Sequence, residues 1–536
     1  MAVRTGKVIM AKNIHLDKSY KNVLSYTESQ MITLLQNNAV QSFTNCSFLR
    51  PGKNAIKLDM TYDNALKCNY LGFQNPDYSN KWFFAFIDSV DYISDKTVIV
   101  RYTIDEFSTW WDYWQPEPCL VEREHTNDDT IGSNLIDEGF NLGSYVGNGS
   151  SSAIGFSSSG IYYCLLSIYS PKDQRTLATN ICGIGVSGGL YFTPYWQTLA
   201  NMVDQYANIS KSDSITLVYA VPAGLAGLMT DNATYETWGQ GLDEDSYYKF
   251  TGKNTNYTIT QTFNAPTTVD GYTPVNQKLL TSPFVCCVLS NTAGSSNVLA
   301  YEFFTNRTVQ IETDGIPSVG CSIISYPINY KSRTKNRLEG LAWGKYPTLS
   351  WSGDAYTNWL TQNAVNLNLG VIGDASSIIL GGAMVATGNP MGWAGIAGGI
   401  GGTFSREKEK YQHSIVPYTS SGNVNVSDVI TASGANCCYL YPVSIKAQFA
   451  QRIDNFFSRY GYRTDDVKIP NQMGRQYWNY VKIAESDDIG KSTSSDYFSV
   501  PASSMETINK IYRTGVTIWH DHDNIGNFNL SNPIVS

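Results

Sequence analysis

The chain has 536 residues, of which 42% are hydrophobic and only 16% charged, and its formal net charge is −8 at pH 7. That length allows several domains with large cores, and the hydrophobic fraction excludes a disordered chain. The acidic balance excludes the basic footprint of a protein that grips nucleic acid. The missing charge is replaced by Ser, Thr, Asn, Gly and above all by 36 Tyr, a composition that leans towards strands and turns.

In chain order, residues 1–130 read as strands broken by one helix. Residues 98–104 alternate and are rich in β-branched side chains, and 82–87 is a continuous aromatic run suited to a buried strand. The helix is predicted over 28–36, with Thr27 as N-cap, Gln30 completing a capping box, and Met31, Leu34 and Leu35 on one face. Residues 144–160, rich in Ser and Gly around Gly147-Asn148-Gly149, read as a mobile surface loop and a domain boundary. A strand over 161–169 follows. Thr193-Pro194 then opens a helix with Trp196, Leu199, Val203 and Tyr206 on one side.

Residues 214–345 return to short strands. Near the C-terminus a helix is predicted over 444–460, with Ile445, Phe449, Ile453, Phe456, Phe457 and Tyr460 at helical spacing and a stop at Gly461. Another, over 503–514, starts on a Ser503/Glu506 capping box and stops at Gly515. No short repeat is present.

The ten cysteines are Cys46, Cys68, Cys119, Cys164, Cys182, Cys286, Cys287, Cys321, Cys437 and Cys438. None forms a C-x-x-C pair or a Cys/His zinc spacing. Several sit in apolar runs such as 161–166 and 284–289, so reduced core thiols and folding in cytoplasm are expected. Residues 1–10 lack the apolar core of a signal peptide, so export by that route is not expected.

The most unusual stretch is 364–405. No charged residue lies between Asp374 and Arg406, and the run Arg406-Glu407-Lys408-Glu409-Lys410 closes it. Gly388-Asn389-Pro390 is a turn signal that divides the stretch into arms over 375–387 and 391–403. Each arm is shorter than the ~20 residues of a spanning helix, so a re-entrant or interfacial hairpin describes it better. Its glycines permit close packing of one copy against the next. The residues expected to meet a membrane are Ile378, Ile379, Leu380, Met384, Val385, Pro390, Met391, Trp393, Ile396 and Ile400. The competing reading is a buried hairpin in a soluble core, but a Gly/Ala-rich segment fills a core poorly and no partner element lies beside it in sequence.

No catalytic, cofactor or metal site is expected. Gly185-Val186-Ser187-Gly188-Gly189 fits G-x-S-x-G, but a nucleophile elbow needs a helix directly after the Ser, and here extended sequence follows. His520-Asp521-His522-Asp523 lacks a third spaced ligand and reads as a polar turn. Glu122-Arg123-Glu124-His125 reads as an ion-paired strand end. Trp110, Trp111 and Trp114 read as packing rather than as a sugar platform. No metalloprotease, P-loop or Cys/His hydrolase signature is found.

Several strings resemble one family. They are residues 69–75 (NYLGFQN), 81–87 (KWFFAFI), 102–125 (YTIDEFSTWWDYWQPEPCLVEREH), 188–192 (GGLYF), 271–284 (GYTPVNQKLLTSPF), 301–304 (YEFF), 453–462 (IDNFFSRYGY), 470–482 (PNQMGRQYWNYVK) and 515–520 (GVTIWH). In this order they resemble the distal tail-tube or tail-knob (major tail) proteins of small short-tailed phages of the Picovirinae type. The resemblance implies a mainly β, multi-domain, tail-tube-like β-barrel subunit with a few helices, forming a homohexameric ring around a channel for genome ejection.

It also implies an apolar Gly-rich loop, stored in the lumen and released to penetrate the host membrane. By composition this is 369–403. The partners implied are copies of the chain, an upstream tail or collar protein, viral DNA in passage and the host membrane, with no small-molecule substrate. An acidic or neutral wall suits passage, because it does not stick to phosphates. The expected location is the distal tail of the virion, after assembly in host cytoplasm. The expected domains are an N-terminal tube-type domain (1–143), a β/helix insertion (161–213), a second tube-type domain (214–345), the apolar loop (364–405) and a C-terminal α/β return (416–536). A receptor-binding tail protein or, less readily, a cell-wall hydrolase are the alternatives.

Overall fold

A computed structural model describes residues 5–47, 54–156, 160–176, 189–211, 214–237, 246–251, 257–291, 295–315, 322–345, 348–350, 423–425, 438–492 and 499–535. The chain forms two compact units. The first comprises Met1–Leu142, Pro274–Leu279 and Gln448–Ser536; the second comprises Gly143–Thr273 and Leu280–Ala447.

In the first unit a six-stranded antiparallel sheet runs in the order Ala39–Ser47, Thr5–Ala11, Tyr70–Asn75, Lys81–Ser94, Thr97–Ile104, Ala55–Leu58. Both faces are covered. Val8, Met10, Leu71, Ala85, Val98 and Val100 fill one core, while Ile9, Tyr70, Phe84 and Phe86 fill another. Two buried faces explain why residues 82–87 are apolar throughout instead of alternating.

The helix Glu28–Asn37 covers the second face with Met31 and Leu35, both fully buried. Gly72 makes room for it, because a Cβ there would meet Leu35 Cδ1 at 2.6 Å. The capping box forms as expected: Gln30 N donates to Thr27 Oγ1 (3.4 Å) and Thr27 N donates to Gln30 Oε1 (2.9 Å). Thr27→Ala is therefore expected to cost about 1 kcal/mol, read as a lower urea midpoint with an unchanged m-value.

A five-stranded sheet of the same unit joins the two ends of the chain, in the order Asn22–Leu24, Val516–Trp519, Trp478–Ile483, Cys119–Glu124, Tyr462–Lys468. The helix Ala502–Thr514 packs Ile508, Ile511 and Tyr512 with Phe107, Trp110 and Trp114. Its expected Ser503/Glu506 box does not form. The helix starts one residue earlier on Pro501, whose carbonyl accepts from Met505 N (3.0 Å), and Glu506 instead pairs with Arg513 (3.0 Å).

In the second unit a seven-stranded sheet has the order Ala233–Thr237, Ser246–Phe250, Gly189–Thr193, Ile161–Ser167, Ile215–Pro222, Thr348–Ser350, Asn423–Asn425. The helix Trp196–Asn208 lays Leu199, Met202 and Tyr206 on Leu165, Tyr191, Val218 and Tyr247. Trp196, expected on this face, is 54% exposed and meets Tyr163 edge-on, while Met202, not expected there, is buried. A second sheet contains Tyr257–Asn264, Thr308–Gly315, Ser322–Tyr330, Arg333–Lys335 and Leu341–Lys345.

The third sheet corrects two expectations. Residues 144–160 are not simply a loop, since they supply Tyr145–Gly147 and Ser152–Ile154, both paired with Cys438–Ile445. That pairing also holds Ser444 and Ile445 in a strand, so the next helix spans Ala447–Tyr460 and not 444–460. Among the described residues Cys46, Cys68, Cys119, Cys164, Cys286, Cys287 and Cys438 are free thiols, all buried except the half-buried Cys46. Cys182, Cys321 and Cys437 lie outside the described residues.

Candidate functional site

The apolar stretch 364–405, with Ile378, Ile379, Leu380, Met384, Val385, Pro390, Met391, Trp393, Ile396 and Ile400, lies outside the described residues, as does Ser187 of the G-x-S-x-G string. No described helix is long and apolar enough to cross a membrane.

The other singled-out side chains serve structure. Trp110 and Trp114 are buried in the core, and Trp111 packs against it. Trp110 and Tyr113 also wall the buried Lys81 ammonium, 4.8 and 3.7 Å from the ring centroids. Glu122 pairs with Lys482 (2.5 Å), Arg123 with Glu138, and Glu124 with Lys468 (2.5 Å), an ion-paired strand. His520 lies between Ser25 Oγ (2.9 Å) and Asn479 Oδ1 (3.0 Å). His522 stacks on His15 at 5.0 Å and accepts from its backbone N (3.3 Å). Asp521 accepts from Asp523 N (3.2 Å) and Asn524 Nδ2 (2.8 Å). These bonds are those of a polar turn.

What the sequence does not announce is a buried polar clamp in the first unit. Four of the family-like strings meet there: 102–125, 271–284, 453–462 and 470–482. The helix Ala447–Tyr460 turns Ala450, Ile453 and Phe457 into the core, and Asp454, 1% exposed, goes in with them. Its carboxylate accepts from Val275 N (2.7 Å), Asn276 N (3.0 Å) and Asn276 Nδ2 (2.7 Å). Asn276 Nδ2 also donates to Ser458 Oγ (2.8 Å).

Asp129 accepts from Gln277 N (3.3 Å) and from the Tyr462 hydroxyl. Lys278 Nζ donates to Glu138 Oε1 (2.6 Å) and to the Ile136 carbonyl (2.8 Å). The other Glu138 oxygen takes Arg123, whose Nη1 donates to the Gly461 carbonyl (2.7 Å). Burial pushes the Lys278 ammonium below its ordinary pKa, with Glu138 opposing the shift. Burial also raises Asp129, opposed by the Tyr462 hydrogen bond. Chemically the cluster is a set of charge-assisted hydrogen bonds that lock the segment Pro274–Leu279 into its unit. The missed signal was a carboxylate inside an apolar helical stripe, a group buried only when paired.

His125 lies beside this cluster, 2% exposed. Tyr480 N donates to its Nδ1 (2.8 Å), so the proton sits on Nε2 and goes to the Ser458 carbonyl (3.1 Å). Burial, with the nearby Arg475 charge, pushes its pKa down to about 3. The unfolded chain protonates near the ordinary value of about 6.5 and binds the extra proton. Stability from His125 is therefore complete above about pH 6.5 and is lost as pH falls towards 3, about 2 kcal/mol of it by pH 5. Buried Asp129 works in the opposite sense, so the check is a comparison. His125→Gln is expected to flatten the slope of unfolding free energy against pH by about one proton between pH 6 and 4.

Comparison with known proteins places the whole chain among phage tail proteins. Residues 246–533 match the C-terminal domain of the tail knob protein gp9 of Bacillus phage phi29, and residues 4–115 match the caudoviral major tail protein N-terminus. The chain is 22% identical to the tail knob protein gp9 of Bacillus phage phi29 and 24% identical to that of Bacillus phage PZA, covering 97% of both chains in each case. Its fold is similar to that of the bacteriophage C1 tail knob protein gp12, with a TM-score of 0.63 at 14% identity over 99% of this chain and 100% of that one.

Proposed function

This chain belongs to the tail knob protein gp9 family of phage phi29, and on that premise we propose that it forms a homohexameric ring at the distal end of a short phage tail, a channel through which the genome leaves. As a member of this family the protein is a structural component of the phage tail. The single observation that carries the channel reading is that a tail-protein N-terminus and a knob C-terminal domain occupy opposite ends of one chain. A ring around a lumen needs heterologous contacts that close on themselves. Copies of the chain, an upstream tail or collar protein and the passing DNA are its partners in this reading.

The stretch 364–405 plugs the lumen and then enters the host membrane. Support comes from its charge-free run and from its attachment. Ser350 and Asn423 face each other in an antiparallel ladder, so the insertion leaves and returns at one sheet edge. In a bilayer its arms satisfy their backbone groups only as helices or by pairing between copies.

A charge at Ile379 or Ile396 is expected to cost about 2.5–3.5 kcal/mol per copy at membrane depth. Rings or phage carrying Ile379→Lys or Ile396→Asp should assemble, as seen by electron microscopy, yet lose dye release from liposomes and DNA delivery. Assembled variants with wild-type values in both assays would remove the membrane role. Absence of rings from the wild-type protein would remove the channel.

A further inference from the structure

The helix Glu28–Asn37 turns Met31 and Leu35 inwards, and its outer face presents Ser29, Gln30, Thr33 and Asn37 without a charge among them. Outer faces of surface helices ordinarily carry charged side chains. Here the hydroxyls and amides form one wall of a recess of about 640 Å³, faced by Tyr26 and the turn from His520 to Asp523. That volume is in the range of small-ligand pockets, roughly 300–1,000 Å³.

The far wall is held rigid from several sides. Ser25 and Asn479 fix the His520 ring, and His522 N donates to the Tyr26 hydroxyl (3.1 Å) across 496 residues of sequence. Sites built on fixed elements keep their geometry when a ligand arrives. Tyr26 accepts that bond and keeps its own hydroxyl proton to donate. The Asn37 side-chain amide, exposed on the opposite wall, supplies a donor and an acceptor.

Charge and polarity narrow the occupant. Among the described residues that line the recess, the charged side chains are Asp521 and Asp523 and none is a Lys or Arg, which disfavours phosphate, carboxylate and nucleic acid. Among the described lining residues Leu34 is the one aliphatic side chain, too little for a lipid or an apolar peptide. A neutral ligand dense in hydroxyl groups matches both the donors and the absence of cations. We propose that this recess is a subsite for one sugar residue, free or as a unit of a polysaccharide, a binding function separate from the channel.

The test is saturation-transfer difference NMR on the full-length, assembled protein with glucose, N-acetylglucosamine, glycerol and inorganic phosphate as separate probes. Saturation should reach the ring protons of at least one of the two sugars at millimolar concentration and should not depend on phosphate. Tyr26→Phe, which removes one hydroxyl, and Asn37→Arg, which fills the recess from an exposed position, should each weaken binding about fivefold or more. Gln197→Arg, on an exposed face of the second unit, should leave it unchanged. Asn37→Arg carries the test alone if Tyr26→Phe does not fold. Transfer to neither sugar, transfer unaltered by Asn37→Arg, preferential binding of phosphate, or loss of sugar binding when the subunits assemble would each overturn the proposal, the last by showing the recess to be a subunit contact.

Discussion

Asp454→Ala is expected to destabilise the first unit by about 2–4 kcal/mol, the cost of taking the acceptor away from donors packed inside the protein. The loss follows from what stays behind. Val275 N and Asn276 N both point at the missing carboxylate, while Asn276 Nδ2 keeps the Ser458 hydroxyl (2.8 Å) and the Asp454 backbone carbonyl (3.1 Å). Each buried donor left without an acceptor costs about 1–3 kcal/mol. Asn276 N cannot recover the loss from solvent, because Asp454 and Asn276 are 1% and 6% exposed, whereas the Val275 bond is only part-buried. Asp454→Asn should be nearly as damaging, since one of its two oxygens becomes a donor facing a backbone N–H. Urea unfolding followed by tryptophan fluorescence gives the size of the effect, and limited proteolysis shows whether cleavage begins within 274–279. If Asp454→Ala unfolds at the wild-type urea concentration and 274–279 stays protected, the clamp does not hold that segment.

The parts of this molecule legible in the sequence are the local ones. The capping box at Thr27, the strands over 82–87 and 98–104, and the helix stop at Gly461 follow from side chains within a few residues of one another. Failures came where a distant strand or a stronger neighbouring residue competes with a local signal. Ile445 lies at helical spacing from Phe449, but Ser444 pairs with Val285 and Ile445 with Tyr145, which takes both into a sheet. Ser503 offers a cap, but Pro501 begins the helix first. The clamp was invisible for the same reason: Asp454 and Asn276 are 178 residues apart. Their strings were conspicuous as family-like sequence, yet nothing local says that Lys278 and Asp454, from two of those strings, share one buried volume with Asp129 and Glu138, which lie in neither. The recess at Asn37 was not anticipated, because the wall opposite the helix is supplied by the far end of the chain.

Gly461→Ala is expected to cost more than about 4 kcal/mol, a size reached only by a few mechanisms. Two of them act here together. Gly461 ends the helix Ala447–Tyr460 with φ at 67°, and its N–H donates to the Phe457 carbonyl (2.8 Å). Any side chain in this left-handed conformation costs about 1–2 kcal/mol. The second cost is steric. A Cβ on Gly461 would overlap the backbone carbonyl of Glu124 and crowd the His125 amide. Neither can swing aside, because Glu124 pairs with Tyr462 and with Val481 in the sheet. Displacing that strand would also pull Arg123 from the Gly461 carbonyl and disturb Glu138 and Lys278 beyond it. Gly271→Ala separates the two costs. Gly271 has φ at 78° but no atom within 4 Å of its added Cβ, so it should show the conformational cost alone, about 1–2 kcal/mol. The difference between the two variants, measured by urea unfolding, is then the cost of forcing the helix end away from the strand. Equal values for Gly461→Ala and Gly271→Ala would mean that the helix end does not press on the Glu124 backbone, and that the clamp is looser than its hydrogen bonds imply.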